Sequence, residues 1–140
     1  MKEPIWVLQF VVKVLHHEQL SEHGGRPGVR GVTALESALG RPRNKFGHDN
    51  EVDPADLAAA YAFGITRNHP FNDGYKRVAL AVMLVFLERN GQTLEAPAAE
   101  ILSTILSLAA GALTEPKLAT WIRSHIKKPR GSTRAVTTQA

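Results

Sequence analysis

The chain has 140 residues and contains no cysteine. This absence excludes disulfide scaffolds, thiolate zinc sites and cysteine nucleophiles. Long apolar runs are also missing: the longest is Val78–Leu87, which is too short to cross a bilayer and suits a buried helix. The apolar stretch near the N terminus is interrupted by Gln9 and Lys13, and no small-residue cleavage site follows it. The sequence therefore predicts a cytoplasmic protein without an export signal or membrane span.

The composition is that of a soluble globular domain, with 44% hydrophobic and 21% charged residues. Seventeen Lys and Arg against 13 Asp and Glu give a formal net charge of +4. An excess of this size suits a partner that carries phosphate, but it does not require nucleic acid. Part of the excess lies near the C terminus, where Gly, Ser, Thr and Arg dominate. We predict one helical domain over residues 1–128 and a basic flexible tail over residues 129–140.

Apolar residues recur at spacings of three and four along most of the chain, which predicts an all-α fold. We expect about six helices packed around a buried central helix. The fourth is apolar on all sides and is predicted to be the central one. The predicted helices are Pro4 to about Leu20, Thr33–Gly40, Pro54 to about Asn68, Gly74–Arg89, Pro97 to about Ala110, and Glu115 to about Ile126.

Local signals mark the ends of two of these helices. Thr33 and Glu36 have the spacing of a capping box, and Gly40 followed by Pro42 predicts that the second helix stops there. A polar loop over residues 43–52 would follow. Asp53 and Pro54 predict the start of the third helix, with the aspartate as N-cap and the proline in the first turn.

The segment before the fourth helix carries the residues best suited to chemistry. A tight turn ahead of a helix leaves backbone N–H groups unpaired, which favours a bound anion. Lys76 and Arg77 place two cations in that first turn, where they oppose the helix dipole and an anion would relieve the conflict. Asp73 offers the oxygen ligand that Mg²⁺ prefers, and His69 is the nearby side chain whose ordinary pKa suits a general base.

Residues 69–74 also allow a purely structural interpretation. His-Pro and Asn-Asp-Gly also occur in ordinary turns, where Asp73 would only cap a helix. A second group of candidate metal ligands lies near the end of the first helix, but its spacing differs from that of zinc hydrolases because position 21 is serine. A solvated helix end is the favoured interpretation of this group, which comprises His16, His17, Glu18, Glu22 and His23.

Residues 69–77, HPFNDGYKR, resemble the signature of the Fic/Doc superfamily, His-x-Phe-x-(Asp/Glu)-(Gly/Ala)-Asn-(Gly/Lys)-Arg. Lys76, at the eighth position, is similar to the death-on-curing (Doc) branch, the toxins of phage and bacterial toxin–antitoxin pairs. Residues 24–30, 35–42 and 86–91 also resemble that branch. The resemblance covers about residues 3–126, and its nine-residue motif is a specific signal.

The resemblance implies roles for individual residues. His69 would take the proton from a target hydroxyl, and Asp73 would hold Mg²⁺ between the phosphates of ATP. Lys76 and Arg77 would hold phosphate oxygens and stabilise the charge of the transition state, and Arg67 would help to bind either the phosphates or the target. The implied phosphate-binding set is Arg67, Asn72, Asp73, Gly74, Tyr75, Lys76 and Arg77.

The resemblance also implies an activity. Doc-type toxins transfer phosphate from ATP to a threonine of translation elongation factor Tu, which stops protein synthesis, whereas Fic relatives transfer AMP to protein hydroxyls. AMP-transferring relatives usually carry arginine at the position of Leu80, so this chain resembles the phosphotransferases more. The self-inhibitory helix of some Fic proteins is missing, which implies restraint by an antitoxin partner.

Tyr75 departs from the family pattern, which has asparagine there. Three outcomes remain open at this point. The phenol hydroxyl donates to a phosphate, or the larger ring shifts the nucleotide, or it blocks the pocket and leaves a catalytically silent binding module.

Overall fold

A computed structural model describes residues 1–127; the tail predicted over 129–140 lies outside the described residues and stays a prediction. The described chain is all-α, as predicted, with a short antiparallel strand pair as its remaining regular structure. The elements in chain order are α1 (Gln9–His23), α2 (Val32–His48), α3 (Pro54–Asn68), α4 (Tyr75–Arg89), β1 (Thr93–Leu94), α5 (Ala98–Ala109), α6 (Glu115–His125) and β2 (Ile126–Lys127).

A central buried helix exists, but it is α3 rather than the predicted fourth helix. Nine of the 15 residues of α3 are buried, and the helix contacts α2, α4, α5 and α6. In α4, by contrast, Leu80, Leu84 and Val85 are only half-buried, so its apolar run has a partly exposed side. The reason is side-chain size: the alanine-rich α3 lets neighbours approach from every direction. No helix within residues 1–127 is long and apolar enough to cross a membrane.

The start of α3 follows the prediction. The Asp53 side chain accepts a hydrogen bond from the backbone N–H of Asp56 at 2.9 Å, and the Asp56 side chain accepts from the backbone N–H of Asp53 at 3.0 Å. Pro54 lies in the first turn, where its missing N–H costs nothing. The N-cap and the proline were predicted because both signals are local, whereas the return hydrogen bond to the Asp56 side chain, which completes a capping box, was not predicted.

The predicted end of α2 is wrong, since the helix passes through Gly40 and Pro42 and ends at His48. The predicted loop over 43–52 is therefore largely helical. Tertiary packing accounts for this: Pro42 is buried inside the helix, and Arg41 forms an ion pair with the buried Glu115. The predicted capping box at Thr33 is also absent, because α2 begins one residue earlier, after Gly31 as N-cap without a side-chain cap.

The predicted start of α1 at Pro4 is wrong as well. Residues 1–8 are not helical, and α1 begins at Gln9. Distant side chains satisfy the backbone instead. Ile5 donates its N–H to Asn90 Oδ1 at 2.7 Å and accepts from Asn90 Nδ2 at 2.9 Å, and Val7 donates to the Tyr61 hydroxyl at 2.9 Å. These long-range bonds replace the first turn of a helix.

Candidate active site

The turn between α3 and α4 places an imidazole and a helix N terminus close together. His69 is the C-cap of α3 and adopts the left-handed conformation, with φ 50° and ψ 58°. It is the only residue other than glycine with positive φ within residues 1–127. Phe71 is fully buried and anchors the turn, and Gly74, with φ 77°, is the N-cap of α4. A non-glycine residue held in this region of φ/ψ space is typical of functional turns.

A second segment, residues 24–31, lies along this turn and is called here the flap loop. Arg30 donates its backbone N–H to Pro70 O at 2.6 Å, and Asn72 donates its own to Gly28 O at 3.2 Å. Val29 and Phe71 form an isolated antiparallel bridge. The flap loop and the turn are therefore one hydrogen-bonded unit, although about forty residues separate them in the sequence. The four glycines and Pro27 within residues 24–31 predict a loop, as the turn before α4 was predicted, but they do not predict that the two pair.

A cavity of about 740 Å³ opens beside this unit, within the size range of small-molecule sites. Its other walls come from Gln19 and His23 of α1 and from Leu102 and Leu106 of α5. Seven of the predicted site residues line it: His69, Asn72, Asp73, Gly74, Tyr75, Lys76 and Arg77.

Arg67 is the predicted site residue that the structure does not bring to this cavity. It lies on a second cavity between α2, α3 and the α5–α6 connection, with its guanidinium carbon 5.8 Å from the centre of the Phe63 ring. Arg41 and Lys45 line the same second cavity. The role of Arg67 in phosphate binding therefore stays a prediction, without support from its position.

The N terminus of α4 presents an electropositive wall to the first cavity. The first intrahelical hydrogen bond runs from Val78 N–H to Gly74 O at 3.0 Å, so the N–H groups of Tyr75, Lys76 and Arg77 precede it. The first turn has no acidic residue, and the Lys76 and Arg77 side chains are exposed. Unpaired N–H groups, the helix dipole and two cations together favour a bound phosphate.

Asp73 provides one half-exposed carboxylate on the same wall. Its Oδ2 accepts a hydrogen bond from the backbone N–H of Arg26 at 2.7 Å, whereas Oδ1 makes none within residues 1–127. The described part of the chain has no group of three or more side chains suited to a metal. Mg²⁺ commonly binds one or two carboxylates and completes its coordination with phosphate oxygens and water. A single carboxylate with a free oxygen therefore fits magnesium that arrives with a nucleotide.

His16 shows that the predicted solvated helix end is only partly right. His17, Glu18, Glu22 and His23 are exposed, but His16 is buried beneath the turn. Its Nε2 lies 2.7 Å from Asp73 O, and its ring stacks on Phe71 with a centroid distance of 4.0 Å. This support for the site was not predicted from the sequence. The four-residue spacing from the buried Val12 was the available signal, since it places both residues on the core face of α1.

His69 is surrounded by groups that favour its neutral form. Burial lowers the pKa of His69, the nearby charges of Arg30 and Lys76 lower it further, and Asp73 opposes them. Arg30 Nη1 lies 2.5 Å from His69 Nδ1. A neutral imidazole at neutral pH is the form that a general base requires.

Tyr75 stands on the wall of the cavity and leaves its volume open. Its ring lies against that of His69, with centroids 3.9 Å apart and planes at 51°. Lys76 Nζ lies 5.8 Å from the centre of the same ring. The tyrosine therefore packs against the imidazole, a contact that the smaller asparagine of the family pattern would make with far less area.

These features have the helical architecture and the motif of one family, and sequence comparison agrees. The model of the Fic/DOC family matches residues 8–87, more than half of the chain. The chain therefore belongs to the Fic/DOC family. It is 32% identical over 110 residues to the protein kinase doc of Escherichia phage P1, a match that covers 78% of this chain and 86% of that relative. Within the family, the chain is thus of the Doc type.

Proposed function

We propose that this chain transfers the γ-phosphoryl group of ATP to a side-chain hydroxyl of a protein, and that this protein is translation elongation factor Tu. One observation carries the proposal: the imidazole of His69 and the electropositive N terminus of α4 line the same cavity. The kinase activity that the name of the phage P1 relative states supports phosphoryl transfer as the reaction.

Phosphoryl transfer requires mainly positioning and charge stabilisation, and the residues of the cavity suit both. The target oxygen forms a bond to the γ-phosphorus while its proton passes to His69. The bond from the γ-phosphorus to the bridging oxygen breaks, and ADP leaves with that oxygen. The N–H groups of α4, together with Lys76 and Arg77, stabilise the charge on the phosphate oxygens. Mg²⁺ would be held by Asp73 and would neutralise part of the phosphate charge when bound.

The biological role proposed here is that of a toxin whose activity blocks translation. A site that modifies an essential protein needs restraint, and the sequence has no self-inhibitory helix. We therefore propose an antitoxin protein as its partner. Co-expression of an antitoxin that abolishes growth arrest, with arrest restored when the antitoxin is removed, would support this role. Growth unaffected by the chain alone would contradict it.

Labelled ATP distinguishes the proposed reaction from AMP transfer. Full-length protein is incubated with Mg²⁺, purified elongation factor Tu and ATP labelled at either the γ or the α phosphate. Label on the factor from the γ position alone is the expected result. Label from the α position would instead show AMP transfer and overturn the proposal.

A third outcome would identify a catalytically silent module. Calorimetry would then show ATP–Mg²⁺ binding, while neither label reaches a protein. A His69→Ala variant should abolish label transfer, whereas His17→Ala, which removes an exposed histidine of α1 outside the cavity, serves as the matched control. Tyr75→Asn tests the departure from the family pattern: a gain in transfer would show that the phenol ring limits the site.

A further inference from the structure

We propose that Arg30 is a positioning residue for His69. Its guanidinium fixes the imidazole in one tautomer and occupies the lone pair of Nδ1 until a substrate hydroxyl takes its place. The contact on which this rests is the 2.5 Å separation of Arg30 Nη1 and His69 Nδ1. The last step, replacement by a hydroxyl, depends on the function proposed above, whereas the fixed tautomer does not.

The direction of this hydrogen bond follows from the chemistry of the two side chains. A guanidinium has five N–H donors and no acceptor, and it stays protonated in proteins. Nδ1 must therefore accept, which leaves the hydrogen of the neutral ring on Nε2. A neutral imidazole has a single ring-nitrogen lone pair, so Arg30 holds the one atom that could take a proton from a substrate.

Arg30 is held in place through its backbone rather than through an acidic partner. Its N–H donates to Pro70 O at 2.6 Å, and the N–H of Gly31 reaches the same oxygen at 3.4 Å. The neighbouring Val29 pairs with Phe71. Within residues 1–127, Arg30 forms no ion pair. The flap loop therefore holds the backbone of Arg30 beside the turn, and within residues 1–127 its guanidinium forms its side-chain hydrogen bond with His69.

Charged and titratable groups face His69 from each side of the turn. Arg30 approaches from the flap loop, and Lys76 and the Tyr75 ring approach from the first turn of α4. Both cations oppose an imidazolium, and Asp73, just before α4, favours it. A protonated Nδ1 could not accept from Arg30, so the contact and the positive imidazole exclude each other.

Substrate binding then becomes an exchange at a single nitrogen. A target hydroxyl donates to Nδ1 in place of the guanidinium, its proton moves to Nδ1, and its oxygen bonds to the γ-phosphorus as ADP leaves. Arg30 does not take part in the bond changes. Its contribution is to present an oriented, unprotonated nitrogen before the hydroxyl arrives.

Nitrogen-15 NMR of the full-length protein tests the tautomer directly, without ATP or target. The expected result for His69 is an unprotonated Nδ1 and a protonated Nε2. Arg30→Ala should produce a mixture of tautomers and a higher imidazole pKa. Arg26→Ala is the matched control, because it removes the same charge from the flap loop at a residue whose guanidinium pairs with Asp73 at 3.6 Å rather than with His69; it should leave the tautomer unchanged.

Arg30→Gln separates the hydrogen bond from the charge. Its amide can still donate to Nδ1 but carries no charge, so we expect the tautomer to be retained and the pKa of His69 to rise. This variant also controls for a change in the structure of the flap loop caused by Arg30→Ala. A hydrogen on Nδ1 in the unsubstituted protein, or an unchanged tautomer in Arg30→Ala, would overturn the proposal.

Kinetics address the exchange step separately. Arg30→Ala should lower kcat by about tenfold to a hundredfold, because the base is misoriented. The change in KM for ATP should be smaller, because the electropositive wall at the N terminus of α4 is intact. Equal losses in both variants, Arg30→Ala and Arg26→Ala, would contradict the exchange. If no form of the protein transfers phosphate, the proposed function is wrong. The NMR measurement still decides independently whether Arg30 fixes the tautomer of His69.

Discussion

The two ends of α3 differ in how their polar groups are paired. At its start, Asp53 and Asp56 satisfy each other's backbone and also bind Arg123 of α6. At its end, His69 is strained into the left-handed conformation and contacts a guanidinium that no acid neutralises within residues 1–127. At the start of α3 the polar groups pair with one another. Beyond its end, the N–H groups of α4, one carboxylate oxygen of Asp73 and the imidazole of His69 line a cavity.

This contrast separates stability from function within one helix. Close packing continues along the α2–α3 contact, where a Cβ on Gly64 would lie 2.9 Å from the carbonyl oxygen of Ala38. Strain and unsatisfied groups concentrate at the other end, which is where binding and catalysis are expected. Substitutions should therefore affect either folding or transfer, depending on which end they alter.

The largest expected effect is that of His69→Ala on transfer. Loss of a general base lowers rates by about 10²–10⁴-fold. Because the imidazole is only half-buried, unfolding by urea should show almost no loss of stability. Transfer rates and urea midpoints of the same preparations test this separation. A variant that unfolds, or one that retains full transfer, would contradict the assignment of function rather than stability to the His69 end of α3.

Gly64→Ala should have the opposite profile. A methyl group there meets the backbone of α2, which cannot give way as a side chain would, so we expect destabilisation of about 1–3 kcal/mol. Gly40→Ala is the matched control within α2, since nothing lies within 4 Å of its Cβ position. It should stabilise the protein by about 0.5–1 kcal/mol. Urea unfolding measures both, and equal effects would contradict the close approach of α2 and α3.

The smallest expected effect concerns the capped end of α3. Asp53→Ala removes the cap and should cost about 0.5–2 kcal/mol, whereas Asp53→Asn keeps a good cap and loses only an exposed ion pair, at about 0–1 kcal/mol. The difference between these variants in thermal or urea unfolding at neutral pH tests the capping box. Asp53→Asn as damaging as Asp53→Ala would contradict it.

The same aspartate gives this prediction a pH dependence. Burial works to raise the pKa of Asp53, but hydrogen bonds from Arg123 and Asp56 outweigh it and lower the pKa from 3.8 to about 2. The stabilisation by the charged form is complete above the ordinary pKa and is lost as the pH falls from 3.8 through about 2. The unsubstituted protein should therefore lose its advantage over Asp53→Asn across this interval, and an advantage that stays constant from about pH 4 to about pH 2 would show that it does not come from the charged carboxylate.

What the sequence could predict was mostly local. The N-cap at Asp53 and the start of α4 at Gly74 were predicted because they depend on neighbouring residues, and the nine-residue motif is likewise local. The predictions failed where distant contacts decide: Pro42 remains helical because it is buried, and residues 5–7 are held by Asn90 and Tyr61. The central helix was also predicted wrongly. Because α4 has more large apolar residues than α3, it was predicted to be the central helix, whereas the small residues of α3 allow the other helices to pack around it.

For the candidate site, the sequence places seven of its residues in one turn, and the structure brings them to one cavity. It could not place His16 beneath that turn or Arg30 beside His69, because both contacts join residues at least 39 positions apart. Arg67 shows the opposite error, in which a residue close in sequence is distant from the site in space. Its position two residues before His69 suggests proximity, but the helical turn directs it to another cavity.

Titration of the nitrogen-15-labelled protein with ATP–Mg²⁺, followed through its backbone amides, tests directly whether a triphosphate binds at the start of α4. We expect the largest shifts at the N–H groups of Tyr75, Lys76 and Arg77, with those around Phe63 and Arg67 unchanged. Shifts confined to the second cavity, or none at millimolar nucleotide, would contradict a triphosphate site at the start of α4.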